Sequence, residues 1–234
     1  SMRLLGIRPV TAPDEFTEIV EVVIEESEIQ EGYVKIIVTR GTDDHNFTIP
    51  GRNALKPNVL VYAKPIHLES IEKVQSGVTC ITMDDDRGHH CDILSLNQLN
   101  NLMARAEAQK KESYDAIFIK DGYLTEASHS NVCIVKAGVI WTPATNEHMI
   151  RGITRSLVLS RVAPTAGVTT IEETSDPVKL DDVMNAEEVF LTNSIDGIIP
   201  VLAIDGKPVG TGKVGNVTKK IQEHYAHLMS DGLP

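Results

Sequence analysis

Glu126 is the residue around which this chain could do chemistry. It stands in a Ser-rich stretch, Glu126-Ala127-Ser128-His129-Ser130, that reads as a turn after a strand. About one strand-hairpin later, Gly152-Ile153-Thr154 reads as a turn that opens a helix. Such a helix start offers unpaired backbone N–H groups and the positive end of the helix dipole, a setting that suits an anion. Taken alone, Glu126 reads better as a solvated turn glutamate, and Ile150, just upstream of that helix, as plain core.

Two other constellations attract attention and fail on spacing. His89-His90-Cys91-Asp92 looks like a metal cluster. Adjacent residues on an extended strand point to opposite faces, and no second ligand group lies at helical or CxxC spacing, so no metal is expected. Gly210-Thr211-Gly212-Lys213-Val214-Gly215 matches the dinucleotide fingerprint G-x-G-x-x-G. That fingerprint needs a following strand with an acidic residue about 20 positions on, and the sequence has no room for one. The glycines read as a flexible connection.

The elements that must position Glu126 and the 152–154 turn follow from periodicity. A helix is predicted over Asp14–Ser27, with strands at Val34–Thr39 and Asn58–Tyr62. Beyond them come a strand at Val78–Met83 and a helix at Leu96–Lys110, with Leu99, Leu102, Met103 and Ala106 on one face. Short strands follow at Ala116–Ile119, Asn131–Lys136 and Val139–Thr142, and then a helix at Arg155–Arg161. A short helix at Asp181–Asn185, strands at Glu188–Thr192 and Gly197–Ile204 and a last helix at Asn216–Met229 complete the set. Mixed strands and helices predict an α+β fold, read as an incomplete small domain over 1–67, a linker and first strand over 68–95, and a large domain over 96–234.

Composition narrows the class. Of 234 residues, 41% are hydrophobic and 24% charged, as in a soluble globular protein. The net charge of -11 opposes nucleic-acid binding, which needs a basic stripe. No apolar run is long enough to span a membrane, and the opening residues do not read as a signal peptide. Cys80, Cys91 and Cys133 are three and widely spaced, which predicts free thiols in the cytoplasm.

The order of pieces resembles a known family. TEASHSNV, RGITR, VFLTNS and DGKPVGTGKVGNVTKKI, with CDILSLNQLNNLMARAEA and GYVKIIVTRGT ahead of them, are similar in order and spacing to the class IV (fold-type IV) pyridoxal-phosphate aminotransferases. The match is nearest to D-amino-acid aminotransferase; branched-chain aminotransferases and aminodeoxychorismate lyases share the fold and pocket. The resemblance implies pyridoxal 5'-phosphate as cofactor. It implies that Glu126 bonds the pyridine nitrogen and that, in the Gly152-Ile153-Thr154 turn at the cofactor, the N–H groups of Ile153 and Thr154 cradle the phosphate. Hydroxyls of Thr154 and Ser194 would add donors, Ile150 would prop the ring, and Arg87 would lie near the cofactor. It also implies a homodimer with a small amino-acid or keto-acid ligand.

The sequence departs from that pattern in two ways. The slot of the Schiff-base lysine, in Cys91-Asp92-Ile93-Leu94-Ser95-Leu96-Asn97, holds Leu94. Leucine has neither a nucleophilic amine nor a titrating one. The small domain reads as truncated, without the family's W-x-N-G segment and the phosphate-clamping arginine that goes with it. After Thr39-Arg40-Gly41-Thr42, only His45 is a stand-in for the family's substrate-carboxylate residues, and Asp43 and Asp44 would repel a carboxylate. The expected function is that of a degenerate class IV aminotransferase, with no catalytic residue identified. The alternatives are an active aminotransferase or aminodeoxychorismate-lyase-like enzyme in altered form, and a non-catalytic protein that keeps the fold for binding or association.

Overall fold

A computed structural model describes residues 1–8, 13–42, 55–173 and 177–231. The chain divides into two compact units, Ser1–Ser70 and Ile71–Pro234. In the first, a helix α1 (Pro13–Ser27) accompanies two antiparallel strands, β1 (Gly32–Thr39) and β2 (Asn58–Pro65), paired in unbroken register from Gly32↔Pro65 to Thr39↔Asn58. Every residue of the two strands keeps some exposure. His45, Asp43 and Asp44 lie outside the described residues.

The second unit is built on one mixed sheet. Its elements are β3 (Val78–Asp84), α3 (Leu99–Lys110), β4 (Asp115–Lys120), β5 (Tyr123–Ala127), β6 (Asn131–Lys136) and β7 (Val139–Pro143). After these come α4 (Ile153–Leu157), α5 (Ala163–Thr165), β8 (Thr170–Glu173), α6 (Leu180–Met184), β9 (Glu188–Asn193), β10 (Gly197–Ile204), β11 (Lys207–Pro208) and α7 (Asn216–Ser230). A short helix α2 (Leu68–Gln75) precedes β3. The sheet order is β5-β4-β3-β10-β9-β6-β7-β8, with β11 on β10. β3 runs parallel to β4 and β10, β7 to β8, and the other pairs are antiparallel.

Both faces of the central strands are covered, so they read as nearly continuous apolar runs. Val132, Ile134, Val189, Leu191 and Ile199 face one core with Val183 of α6. Their alternates Cys133, Val135, Phe190 and Ile198 face another, under Val158, Val162 and Ile221 of the helices. Full burial of each such side chain stabilises by roughly 1.5–3 kcal/mol.

Several sequence expectations shift. Glu126 lies in β5, a strand not foreseen, and the Ser-rich turn begins after it. The helix expected from Arg155 starts at Ile153 and runs to Thr165 through a π-turn at Val158–Val162, just before Pro164, whose ring nitrogen carries no N–H. α2 and β8 were also missed. α3 begins at Leu99, and its expected core face does not meet the sheet. Leu99, Leu102 and Met103 are exposed, while Ala104 and Ala108 pack on Ile81, Ala116 and Phe118. Small alanines let the helix approach β3 and β4 closely, and the bulkier stripe is left outward.

Candidate functional site

β5 delivers the Glu126 side chain into the second unit, where it is 4% exposed. The β3–α3 loop brings Arg87 against it. Arg87 Nη1 donates to Glu126 Oε1, while Nε and Nη2 reach Asp85 Oδ1 and Oδ2 at 2.9 and 2.8 Å. Arg87 Nη2 also donates to the carbonyl of His148 at 3.0 Å, and the guanidinium lies 4.3 Å from the centroid of the Phe118 ring. The plain alternative for Arg87, a surface charge, is thereby excluded: it is buried. Thr125 Oγ1 closes the group by donating to Asp85 Oδ2 at 2.8 Å.

The other oxygen of Glu126 faces the loop before α4. Glu126 Oε2 accepts from the Ile150 N–H at 3.0 Å and from Asn131 Nδ2 at 3.3 Å. Asn131 Nδ2 also donates to the Ile150 carbonyl at 2.8 Å, and Asn131 Oδ1 accepts from the Gly152 N–H at 3.1 Å. A Cβ on Gly152 would sit 2.1 Å from that Oδ1, so only glycine allows the approach. Asn131 thus ties Glu126 to the start of α4. It was read only as the first residue of a strand, and nothing in one sequence marks it as a hub.

Burial pushes the Glu126 carboxyl up to about 7, against the opposing pull of Arg87. Burial also raises Asp85, but its bonds to Arg87 outweigh that and hold it below its ordinary value. Arg87 is pushed upward by the same two carboxylates despite its own burial, and stays charged. The partners of Glu126 are all N–H donors, an arrangement that suits the ionised form. With both carboxylates ionised, the trio carries one negative charge in excess.

The second half of the site is the start of α4. Gly152 has no side chain to cap it, and among the described residues the Ile153 and Thr154 N–H groups meet no protein acceptor. Ile153 is exposed and Ile150 half-buried. Thr154 is buried, and its hydroxyl donates to the Asn193 carbonyl at 3.0 Å, so that donor is already used. Ser194 follows Asn193 in the β9–β10 turn and is exposed. The structure therefore links Glu126, Arg87, Ile150 and Gly152 in one hydrogen-bonded group, and joins Thr154 to the residue before Ser194. Leu94 lies on the loop that carries Arg87 and is 61% exposed. Among the described residues no group of three or more His, Cys, Asp or Glu side chains is arranged to hold a metal, and no helix is long and apolar enough to cross a membrane.

Comparison with known proteins decides the family. The family model for amino-transferase class IV matches residues 1–204. This chain belongs to the class IV aminotransferases. It is 38% identical over 193 residues to a D-alanine aminotransferase of Bacillus licheniformis, a match covering 82% of this chain and 66% of that protein. Its fold superposes on the branched-chain amino acid aminotransferase of Escherichia coli with a TM-score of 0.84 at 24% identity, covering 97% of this chain and 75% of that one. A T.th. branched-chain amino acid aminotransferase solved with pyridoxamine 5'-phosphate gives 0.80 at 24% identity, covering 100% and 76%. The chain spans about two thirds of the relative's length and three quarters of those of the two solved structures.

The side chains of this site can be matched to such a cofactor. A buried carboxylate with excess negative charge fits a pyridinium N–H, and an uncapped helix start fits a phosphate. Leu94, at the slot where the resemblance expects a lysine, has no amine to offer an aldehyde.

Proposed function

We propose that this class IV aminotransferase chain holds a pyridoxal-phosphate-type cofactor without a covalent bond and does not carry out transamination. The observation that carries the reading is the contrast between the intact Asp85–Arg87–Glu126 group and Leu94. When bound, the cofactor supplies an electron-withdrawing ring. Glu126 would accept the ring N–H on Oε1, beside Arg87, where one lone pair is left, and the added positive charge would balance the trio. Ile153 and Thr154 N–H groups, with the Ser194 hydroxyl, would hold the phosphate, and Ile150 would pack on the ring. No side chain at position 94 can accept and return a proton. A small amino acid or keto acid is the ligand class for the space beside the ring.

A second copy of the chain would cover the outward stripe of Leu94, Leu96, Leu99, Leu102 and Met103, five large apolar side chains exposed within ten residues. Leu99→Glu with Met103→Glu is expected to convert a dimer to a monomer in sedimentation analysis. The three cysteines are free and two are buried, which supports a cytoplasmic setting.

Titration with pyridoxal 5'-phosphate tests the main reading. Saturable binding is expected, with no mass adduct after borohydride reduction and no turnover of D-alanine or branched-chain L-amino acids. A single stoichiometric adduct on one lysine would overturn it.

A further inference from the structure

The residue before Ser194 does more than continue a strand. Asn193 Oδ1 accepts from the N–H groups of Ile195 and Asp196, at 2.9 and 2.7 Å, which fixes the turn that presents Ser194. Its Nδ2 donates to Asp196 Oδ2 at 3.2 Å and to Ser130 Oγ at 3.3 Å. Its carbonyl takes the Thr154 hydroxyl. One residue thus touches the β9–β10 turn, the first turn of α4 and the β5–β6 turn.

Asn193 is itself held from outside the site. Tyr114 Oη donates to Asp196 Oδ2 at 2.7 Å, and Gln75 Nε2 donates to the Asp196 carbonyl at 2.8 Å. Gln222 Nε2 in turn donates to the Gln75 carbonyl at 2.9 Å. Burial and the neighbouring Asp196 carboxylate both raise the Tyr114 phenol, so it remains a donor across the working pH range. Gly197 closes the turn at a φ of 70°, with room for a Cβ limited by the Tyr225 ring at 3.0 Å.

We propose that Asn193, braced by Asp196 and Tyr114, is the positioning residue that sets the spacing between Ser194 and the Ile153–Thr154 N–H groups, and so sets affinity for phosphate-bearing ligands. This rests on the phosphate end of the function proposed above. The Ile195 and Asp196 N–H groups are used internally, so what the turn can offer an anion is concentrated at Ser194. Donors acting on one anion must be held at fixed separation, and the bond from the Thr154 hydroxyl to the Asn193 backbone carbonyl holds that separation only while the turn itself is fixed. The Asn193 side chain fixes the turn through the Ile195 and Asp196 N–H groups, and the Asp196–Tyr114 pair keeps its far end from swinging. None of the three needs to touch the ligand.

The test is the ratio of affinities for pyridoxal 5'-phosphate and pyridoxal, measured by absorbance titration. A purely structural role lowers both affinities together and leaves the ratio unchanged. For Asn193→Ala the ratio is expected to fall about tenfold, as when fixed donors are released. Asn193→Ser keeps one short acceptor for the turn N–H groups and should recover part of that loss. Tyr114→Phe should lower the ratio about threefold, by removing one hydrogen bond to a carboxylate. If Asn193→Ala fails to fold, Tyr114→Phe carries the test. A wild-type protein that prefers the phosphorylated ligand, with ratios unmoved in the variants that fold, overturns the positioning role alone. A wild-type protein with no preference for the phosphate overturns the phosphate reading and this inference with it.

Discussion

Two helices of the second unit begin directly after a glycine, and they end up opposite in character. At α7 the glycine is Gly215, and the carboxylate of Glu188 fills the helix start. It accepts from the Val217 N–H at 3.0 Å, the Thr218 N–H at 2.8 Å and the Thr218 hydroxyl at 2.7 Å. At α4 the glycine is Gly152, and the nearby carboxylate, Glu126, turns away to Arg87, Asn131 and the Ile150 N–H. The N-terminus that matches a nucleotide fingerprint is therefore closed to any anion, and the one without a fingerprint is open. Gly210 and Gly215 are required for packing: an added Cβ would meet the Glu187 carbonyl oxygen at 2.1 Å and the Glu188 carboxylate carbon at 1.9 Å. A glycine-rich string before a helix reports close approach, and what approaches must be read from the fold.

The comparison breaks first at Arg87. Arg87→Ala leaves Asp85 and Glu126 buried with no cation between them, which is expected to cost about 3–5 kcal/mol of stability. Urea unfolding at pH 7.5 measures it. Replacing Glu126 by Gln in the same chain should recover part of the loss, because one of the two stranded charges is then gone. A loss below about 1 kcal/mol, the range of an exposed pair, would mean that water reaches the trio.

At the α7 end the effect is smaller and separable. Glu188→Ala orphans two backbone donors and a hydroxyl, for an expected loss of about 2–3 kcal/mol. Binding of pyridoxal 5'-phosphate to the protein that remains folded should be unchanged. If binding weakens as much as stability does, the two helix starts are not independent, and the contrast between a structural and a functional end fails.

Much of this was legible beforehand, for uneven reasons. The central strands announce themselves because both faces are buried, so Asn131–Lys136 and Glu188–Thr192 were placed nearly to the residue. The physical reason the fingerprint fails, the Glu188 carboxylate at the start of α7, comes from a residue more than twenty positions upstream and was not visible in the motif. β5 was hidden because Tyr123–Ala127 carries two polar residues, Thr125 and Glu126, whose inward partners are distant in sequence. The wrong face of α3 was chosen because bulk was taken as the mark of the core, whereas two alanines make the contact. Asn131 and Asn193 stand inside the quoted TEASHSNV and VFLTNS pieces, but their roles were not legible: their deciding bonds reach residues 19 to 63 positions away, and an asparagine at a strand end is ordinary in sequence. The family motifs singled out Glu126, Gly152 and Thr154, but gave no sign that the Thr154 hydroxyl is engaged by Asn193.

The smallest effect is also the sharpest probe of the Glu126 end. In the folded protein burial holds the Glu126 carboxyl near pH 7, far above an unfolded glutamate. Between roughly pH 4.5 and 7 the native state therefore holds a proton that the unfolded chain has released, and stability falls as pH rises through that window. Asp115 contributes in the same direction, raised by burial and only partly relieved by its bond from Ser128. Asp85 acts oppositely: its carboxyl is lowered, so its stabilisation is present above the ordinary aspartate range and is lost only as pH falls toward and below it. The ligand-free protein should thus be more stable at pH 5.5 than at pH 8, by about 1–2 kcal/mol from Glu126, with a ceiling of about 1.4 kcal/mol per pH unit for one proton. Glu126→Gln, neutral at every pH, should remove that slope and leave the Asp115 part, while Glu188→Ala should leave the slope as it is. Urea midpoints collected from pH 5 to 8 separate the cases. A wild-type slope no steeper than that of Glu126→Gln would show Glu126 fully ionised by its donors, in which case a cationic ring nitrogen would meet a standing negative charge at every pH in that range, and binding of pyridoxal 5'-phosphate should not weaken on going from pH 8 to 5.5 through protonation of Glu126.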